Sequence, residues 1–291
     1  MFLPDNLNNA VYRYTIAPGA EPTLTLTIPV TLGTAAAVRS TGELFVGEYS
    51  AAAPVSRFLS ATGTPVANGT ITGVGLHFPQ NMRFVDDELW VLNSADHACS
   101  TGTENIVRLA FDAQGAASAI GTVQTGLIGA NRGMLWNPAT RDLFVSQCSP
   151  VNTIQHFRVA ADHTVVPLTP VTGNGLNNPH GMVMATWGEL LVANAGGAST
   201  VGGTTILRFS LDAEGNATAN GTITGNGIDT PIGLAFTPWG ELLVLNGASV
   251  PSVSRFTFDT SRGAAPSGKF QIVVPNQVGQ YGVGWIEVVR N

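Results

Sequence analysis

Two stretches of the chain nearly repeat each other: "NNPHGMVMATWGELLVAN" at 177–194 and "DTPIGLAFTPWGELLVLN" at 229–246. Where the second has Ile232, the first has His180. An imidazole changes charge near neutral pH, so it can act as a general acid or base where an isoleucine cannot. The matching positions elsewhere in the chain are Thr34, Gln80, Arg132 and Tyr281. Arg132 offers a planar fork to a carboxylate or phosphate and can stabilise negative charge as it develops. A set of His180, Arg132 and Tyr281 has the chemistry for lyase, isomerase or hydrolase work on a small molecule. In that reading His180 is the acid/base and Arg132 the anion anchor, with Gln80 among the substrate contacts.

A second series of polar residues ends the strands that follow: Glu48, Asn93, Gln147, Asn194 and Asn246, with Asp5 near the start of the chain. Two readings stand for it. As Asx-type turn residues these side chains hydrogen-bond their own loop backbones. As a site they line the binding surface, Glu48 and Asp5 together offering oxygen ligands to a cation. A third group is "ADHACS" with His97 and Cys99, and "SQCSP" with Cys148. His97, Cys99 and Cys148 could hold a soft metal. The two cysteines could equally form a disulfide in an exported protein, or remain two separate thiols.

All these residues are positioned by one repeated element. "GELFV", "DELWV", "RDLFV", "GELLV" and "GELLV" are the same strand five times, ending at Val46, Val91, Val145, Val192 and Val244. Each is followed by an alternating segment, "VSRFLS", "IVRLAFD", "IQHFRV", "ILRFSLD" or "VSRFTFD". Apolar and polar residues alternate there as half-buried strands require. A further strand follows, clearest in "ANGTITG" at 67–73 and 219–225, and a small-residue strand precedes each "GEL". Four strands per unit of 45 to 54 residues predict an all-β fold whose blades are four-stranded sheets around a channel. Five complete units begin near Ala35, Gln80, Arg132, His180 and Ile232. "MFLPDN", "AVYRYTI" and "TLTLTIPV" supply three strands of a sixth, and "QYGVGWIEVV" at 280–289 supplies its innermost one. The expectation is a six-bladed β-propeller over residues 1–291, closed by pairing its two ends, which removes a free sheet edge.

Composition agrees. Gly 34 and Pro 17 are plentiful, while charged residues make up only 11%, a mix that suits short strands and tight turns. Net charge is -6 and Lys269 is the only lysine. No basic cluster stands ready to neutralise phosphates, which argues against a nucleic-acid partner. No apolar run approaches a membrane span. "MFLPDNLNN" lacks the basic segment and apolar core of a secretory signal. The chain as given therefore reads as cytoplasmic, with secretion as the reading if it is a processed form.

The sequence of "GELLVLN", a loop and "VSRFTFD" resembles the NHL-repeat pattern. The whole plan is similar to six-bladed propellers of the SMP-30/gluconolactonase group, the strictosidine-synthase-like proteins and the peptidyl-hydroxyglycine amidating lyase. The resemblance implies metal or substrate bound on the face where the innermost strands begin, just before the glycines matching Gly181 and Gly233. It also implies a divalent metal ion as cofactor. In this chain that ring carries one histidine and no carboxylate. NHL-like propellers also serve as platforms for partners, so a non-catalytic binding or scaffold module is the alternative function.

Overall fold

The computed structural model describes residues 1–50, 52, 54–94, 104–124, 131–148, 150–196, 203–248, 250–272 and 286–289. The described residues form β-strands joined by turns and loops, without a helix. None therefore has a helix long and apolar enough to cross a membrane.

Six sheets are formed. Blade 1 holds β4 (Gly33–Val38), β5 (Leu44–Glu48), β6 (Val55–Leu59) and β7 (Val66–Ile71). Blade 2 holds β8 (Pro79–Val85), β9 (Glu88–Asn93), β10 (Ile106–Phe111) and β11 (Ala117–Val123). Blade 3 is β12 (Asn131–Asn137), β13 (Asp142–Gln147), β14 (Thr153–Val159) and the short β15 (Val165–Pro167). Blade 4 runs through β16 (Pro179–Met184), β17 (Glu189–Asn194), β18 (Thr205–Leu211) and β19 (Ala217–Thr224). Blade 5 runs through β20 (Pro231–Phe236), β21 (Leu242–Asn246), β22 (Ser252–Phe258) and β23 (Ala264–Gln271). Every neighbouring pair within these sheets is antiparallel, in sequence order.

The sixth blade joins both ends of the chain. β1 (Phe2–Asp5), β2 (Ala10–Thr15) and β3 (Thr23–Pro29) form three strands. Phe2 N–H then donates to Glu287 O at 2.8 Å, and Glu287 N–H to Phe2 O at 3.1 Å. Closure through the two termini is as the repeat predicted.

Each seam between blades holds its own apolar cluster, six in all. The "LFV" and "LLV" runs supply it by sending alternate side chains to opposite faces. Phe45 packs toward blade 2, for example, while Leu44 and Val46 pack toward blade 6. The turn before each second strand needs a left-handed backbone, which glycine adopts at least cost. Gly42, Gly188 and Gly240 have φ of 84°, 85° and 86°, and Arg141 takes 56° at the matching place in blade 3.

The "GEL" glutamate has a role that the turn alone does not explain. In four blades it pairs with the arginine of the third strand: Glu43–Arg57 and Glu88–Arg108 at 2.8 Å, Glu189–Arg208 at 2.7 Å, Glu241–Arg255 at 2.6 Å. The arginine can also reach the next blade. Arg57 donates to Gly115 O at 2.7 Å, Arg255 to Ala20 O at 2.6 Å, and Arg13 of blade 6 to Ala61 O at 2.9 Å. The ring is thus stapled by guanidinium groups as well as packed by apolar side chains.

Blade 3 departs from this scheme. His156 pairs across the sheet with Phe144, as Arg57 pairs with Phe45, so a histidine occupies the arginine position. It stacks on Phe144 at 4.2 Å and lies 3.2 Å from Asp142, the residue in the glutamate position. It also abuts Gly215 of blade 4, where an added Cβ would come within 2.6 Å of the ring. The sequence suggests an outlying histidine of no special role. Instead His156 is buried in the seam, and burial, partly offset by Asp142, pushes its pKa below the ordinary value.

Candidate functional site

The five innermost strands carry the same irregularity at the same place. Their pairing with the second strand slips between Gly33 and Ala35, Pro79 and Asn81, Asn131 and Met134, Pro179 and Met182, and Pro231 and Gly233. The residues inside these bulges include Thr34, Gln80, Arg132, His180 and Ile232, the ring singled out by the repeat. A bulge takes a side chain out of the two-face alternation and re-aims it, and bulges are enriched beside active sites.

The ring differs from expectation in its exposure. The repeat suggests side chains facing water at the channel mouth, yet all five are buried, with Arg132 at 9% and His180 at 7% exposure the most accessible. Thr34 Oγ1 donates to Pro79 O of the next blade at 2.8 Å and to Gly47 O at 3.2 Å. Ser146 Oγ accepts from Gly133 N–H at 2.7 Å and donates to the His180 carbonyl at 2.7 Å. A Cβ on Gly133 would stand 2.4 Å from that carbonyl oxygen, so only glycine permits the approach. Arg132 and His180 are therefore neighbours across the seam between blades 3 and 4. Sequence reasoning missed Ser146, which locks the two backbones together.

Gln80 occupies the equivalent bulge of blade 2. Tyr281, His97 and Cys99 lie outside the described residues. Cys148 is fully buried and disulfide-bonded, and the chain's other cysteine is Cys99. A sulfur in a disulfide has no thiolate to give a metal, which corrects the soft-metal reading at Cys148. Among the described residues no group of three or more His, Cys, Asp or Glu stands ready to hold a metal ion.

The second polar series is largely occupied with the loops. Asn93 accepts from His77 N–H at 3.0 Å and donates to Gly75 O at 2.9 Å. Asn194 repeats this with Asn177 N–H at 2.7 Å and Gly175 O at 3.2 Å. Asn246 accepts from Asp229 N–H at 3.0 Å and donates to Ser252 and Ser254. These three asparagines carry the Asx-type role within the fold. Gln147 accepts from Thr153 at 3.1 Å and Gln155 at 2.7 Å. Asp5 accepts from the backbone of its own turn, Leu7 and Asn8 at 3.0 Å each. Glu48 accepts from Ser56, and burial pushes its carboxyl above the usual range. Asp5 is thus tied to its turn.

Farther along the axis apolar side chains share the channel with the charged Arg83 and Glu287. A cavity of about 220 Å³ is lined by Leu135, Met182, Leu234, Phe236 and Ile286. Arg83 of blade 2 reaches Glu287 of blade 6 there at 3.5 Å, past the small side chains of β4.

No protein-family model and no curated protein sequence matches this chain. Solved structures do match in shape. The periplasmic gluconolactonase of Pseudomonas aeruginosa superimposes with a TM-score of 0.66 at 12% identity, covering 94% of this chain and 99% of that one. A candidate 6-phosphogluconolactonase of Bacteroides fragilis gives 0.68 at 12% identity, covering 94% and 97%. Virginiamycin B lyase of Staphylococcus aureus gives 0.54 at 15% identity, covering 84% and 72%. The chain is a six-bladed β-propeller. Identities this low establish the fold alone, and the NHL and SMP-30 likenesses rest on the blade pattern.

Proposed function

We propose that this propeller is a small-molecule enzyme of hydrolase or lyase type, working at the end of the channel where the innermost strands begin. The observation that carries this reading is the run of Gln80, Arg132 and His180 in three consecutive blades, each on a bulge and each buried. His180 serves as general acid or base and Arg132 as the anchor for an anionic or developing negative oxygen. Burial strengthens both roles, because charge interactions weaken less outside bulk water. The likeness to a gluconolactonase, a candidate phosphogluconolactonase and a lyase supports this class of chemistry, with a cyclic ester as the first substrate to try. The disulfide at Cys148 supports an oxidising compartment, in favour of the exported form over the cytoplasmic one.

The test is proton release from glucono-1,5-lactone and a panel of related cyclic esters. The protein should accelerate at least one of them. His180→Ala should lower kcat/KM by roughly 10²–10⁴-fold, the usual worth of a positioned acid or base. Because His180 is buried, the variant's melting curve is recorded alongside, so that a loss of turnover is read on folded protein. Full turnover in His180→Ala would remove the assignment.

A further inference from the structure

The seam between blades 2 and 3 differs from the others at two facing positions. The residue before the partner of the repeated valine, Val46, Val91, Val145, Val192 or Val244, is Ala35, Asn81, Gly133, Gly181 and Gly233. The first residue of those strands is Gly33, Pro79, Asn131, Pro179 and Pro231. Elsewhere these positions hold Gly, Ala or Pro, none with a polar side chain. Among these five blades only Asn81 and Asn131 break the pattern.

Their orientations follow from register. Asn81 pairs with Leu92, which packs in the cluster shared by blades 2 and 3. Residues directly opposite in an antiparallel pair share a face, so Asn81 points into that seam. Asn131 pairs with Gln147, two residues beyond Val145 of the same cluster, and so points into the seam from the other side. The carboxamides are 1% and 0% exposed, and neither the oxygen nor the nitrogen of either has a hydrogen-bond partner. Four buried amide atoms without partners would each cost about 1–3 kcal/mol if nothing met them. Close by lies a buried carboxylate: Glu104 accepts from the Asn131 N–H at 2.7 Å, and Ser94 Oγ sits 3.5 Å from its other oxygen.

We propose that this seam is a binding site for a hard, oxygen-preferring cation of the Ca²⁺ class. Asn81 Oδ1, Asn131 Oδ1, a Glu104 oxygen and Ser94 Oγ supply its protein ligands, and water completes its shell. Such cations take six to eight oxygens in flexible geometry, and carboxamide oxygens serve well. With a single carboxylate the site belongs to the weaker range, with a Kd of about 10⁻⁴–10⁻³ M. It lies between blades 2 and 3, and its ligands Asn81 and Asn131 directly adjoin Gln80 and Arg132 of the proposed reaction centre along the chain.

The experiment begins with the full chain after chelator treatment and dialysis. Adding CaCl₂ to about 10 mM should raise the melting temperature by several degrees and bind one equivalent per chain by isothermal titration. The double variant Asn81→Ala/Asn131→Ala installs residues of the kind other seams tolerate. It should melt at least as high as the chelated wild type, because unpartnered polar groups have been removed, and should lose the Ca²⁺ response. A Ca²⁺ shift that survives in the variant would overturn the site. So would absence of binding by Ca²⁺, Mg²⁺ and Mn²⁺ in the wild type, which would leave enclosed water as the occupant. A variant that melts well below the chelated wild type would also count against it, since the amides would then be structural in their own right.

Discussion

Replacing Arg255 by methionine isolates the contribution of one staple. Arg255 donates to Glu241 through Nε at 3.0 Å and Nη2 at 2.6 Å, and through Nη1 to Ala20 O of blade 6 at 2.6 Å. Both side chains are nearly enclosed, at 6% and 4% exposure. Burial by itself would raise the Glu241 carboxyl, but the bonds from Arg255, Ser267 and Trp239 outweigh it and hold the group below the usual range. Without the guanidinium, Glu241 is a buried charge that has lost its cation, a loss of about 3–5 kcal/mol. Unfolding entropy near 2.1 cal/mol/K per residue amounts to about 0.6 kcal/mol/K for a chain of this length, so the melting temperature should fall by roughly 5–8 °C. The companion Glu241→Leu/Arg255→Met removes both charges. It should recover most of the loss, since apolar replacement of a buried pair is often neutral or stabilising. Ala20 still lacks its donor, which leaves a deficit of about 1 kcal/mol. Calorimetry of wild type, both single variants and the double completes the cycle. If the losses of the two single variants simply add up in the double, the pair is not coupled and the staple is only packing.

Two further outcomes follow from blade 3 and from Cys148. His156 has a folded-state pKa below its ordinary 6.5, so the unfolded chain binds its proton more readily. Its contribution to stability is present above about pH 6.5 and is lost as pH falls through the lowered folded value. Denaturant midpoints between pH 7.5 and 5 should therefore drop in the wild type and drop less in His156→Gln; equal acid slopes would refute the assignment. For the disulfide, thiol titration under denaturing conditions should find no free thiol before reduction and two afterwards, matching the two cysteines. Reduction should destabilise the fold by about 2–5 kcal/mol, and a reactive thiol in the untreated protein would contradict it.

The architecture was legible because the signal is repeated. Five copies of one strand located the blades, and the two ends supplied the unmatched strands, as the pairing of Phe2 with Glu287 bears out. The loop-binding role of Asn93, Asn194 and Asn246 was also readable, since a shared trait on every blade points to a shared structural need. The staples were harder. Each "GEL" glutamate meets an arginine 14 to 20 residues away, and nothing local marks the two as partners until strand register aligns them. His156 shows its meaning only in that alignment, as the one histidine among arginines. The burial of the His180 ring was not legible either, because a strand pattern does not announce a bulge. Asn81 and Asn131 were overlooked for a related reason: their peculiarity lies in what the other blades have at those places, glycine and proline, which attract no chemical interest.

The bulges separate two duties that most enzymes must reconcile within the same residues. Thr34, Gln80, Arg132 and His180 belong to none of the six apolar clusters, while the backbone kink that aims each of them recurs whatever side chain it bears. A change of residue in one socket keeps that kink, although a side chain such as Thr34, bonded to Pro79 O of the next blade, is felt by its neighbour. The kink is thus a property of the backbone repeat, and the chemistry a property of the side chain it carries.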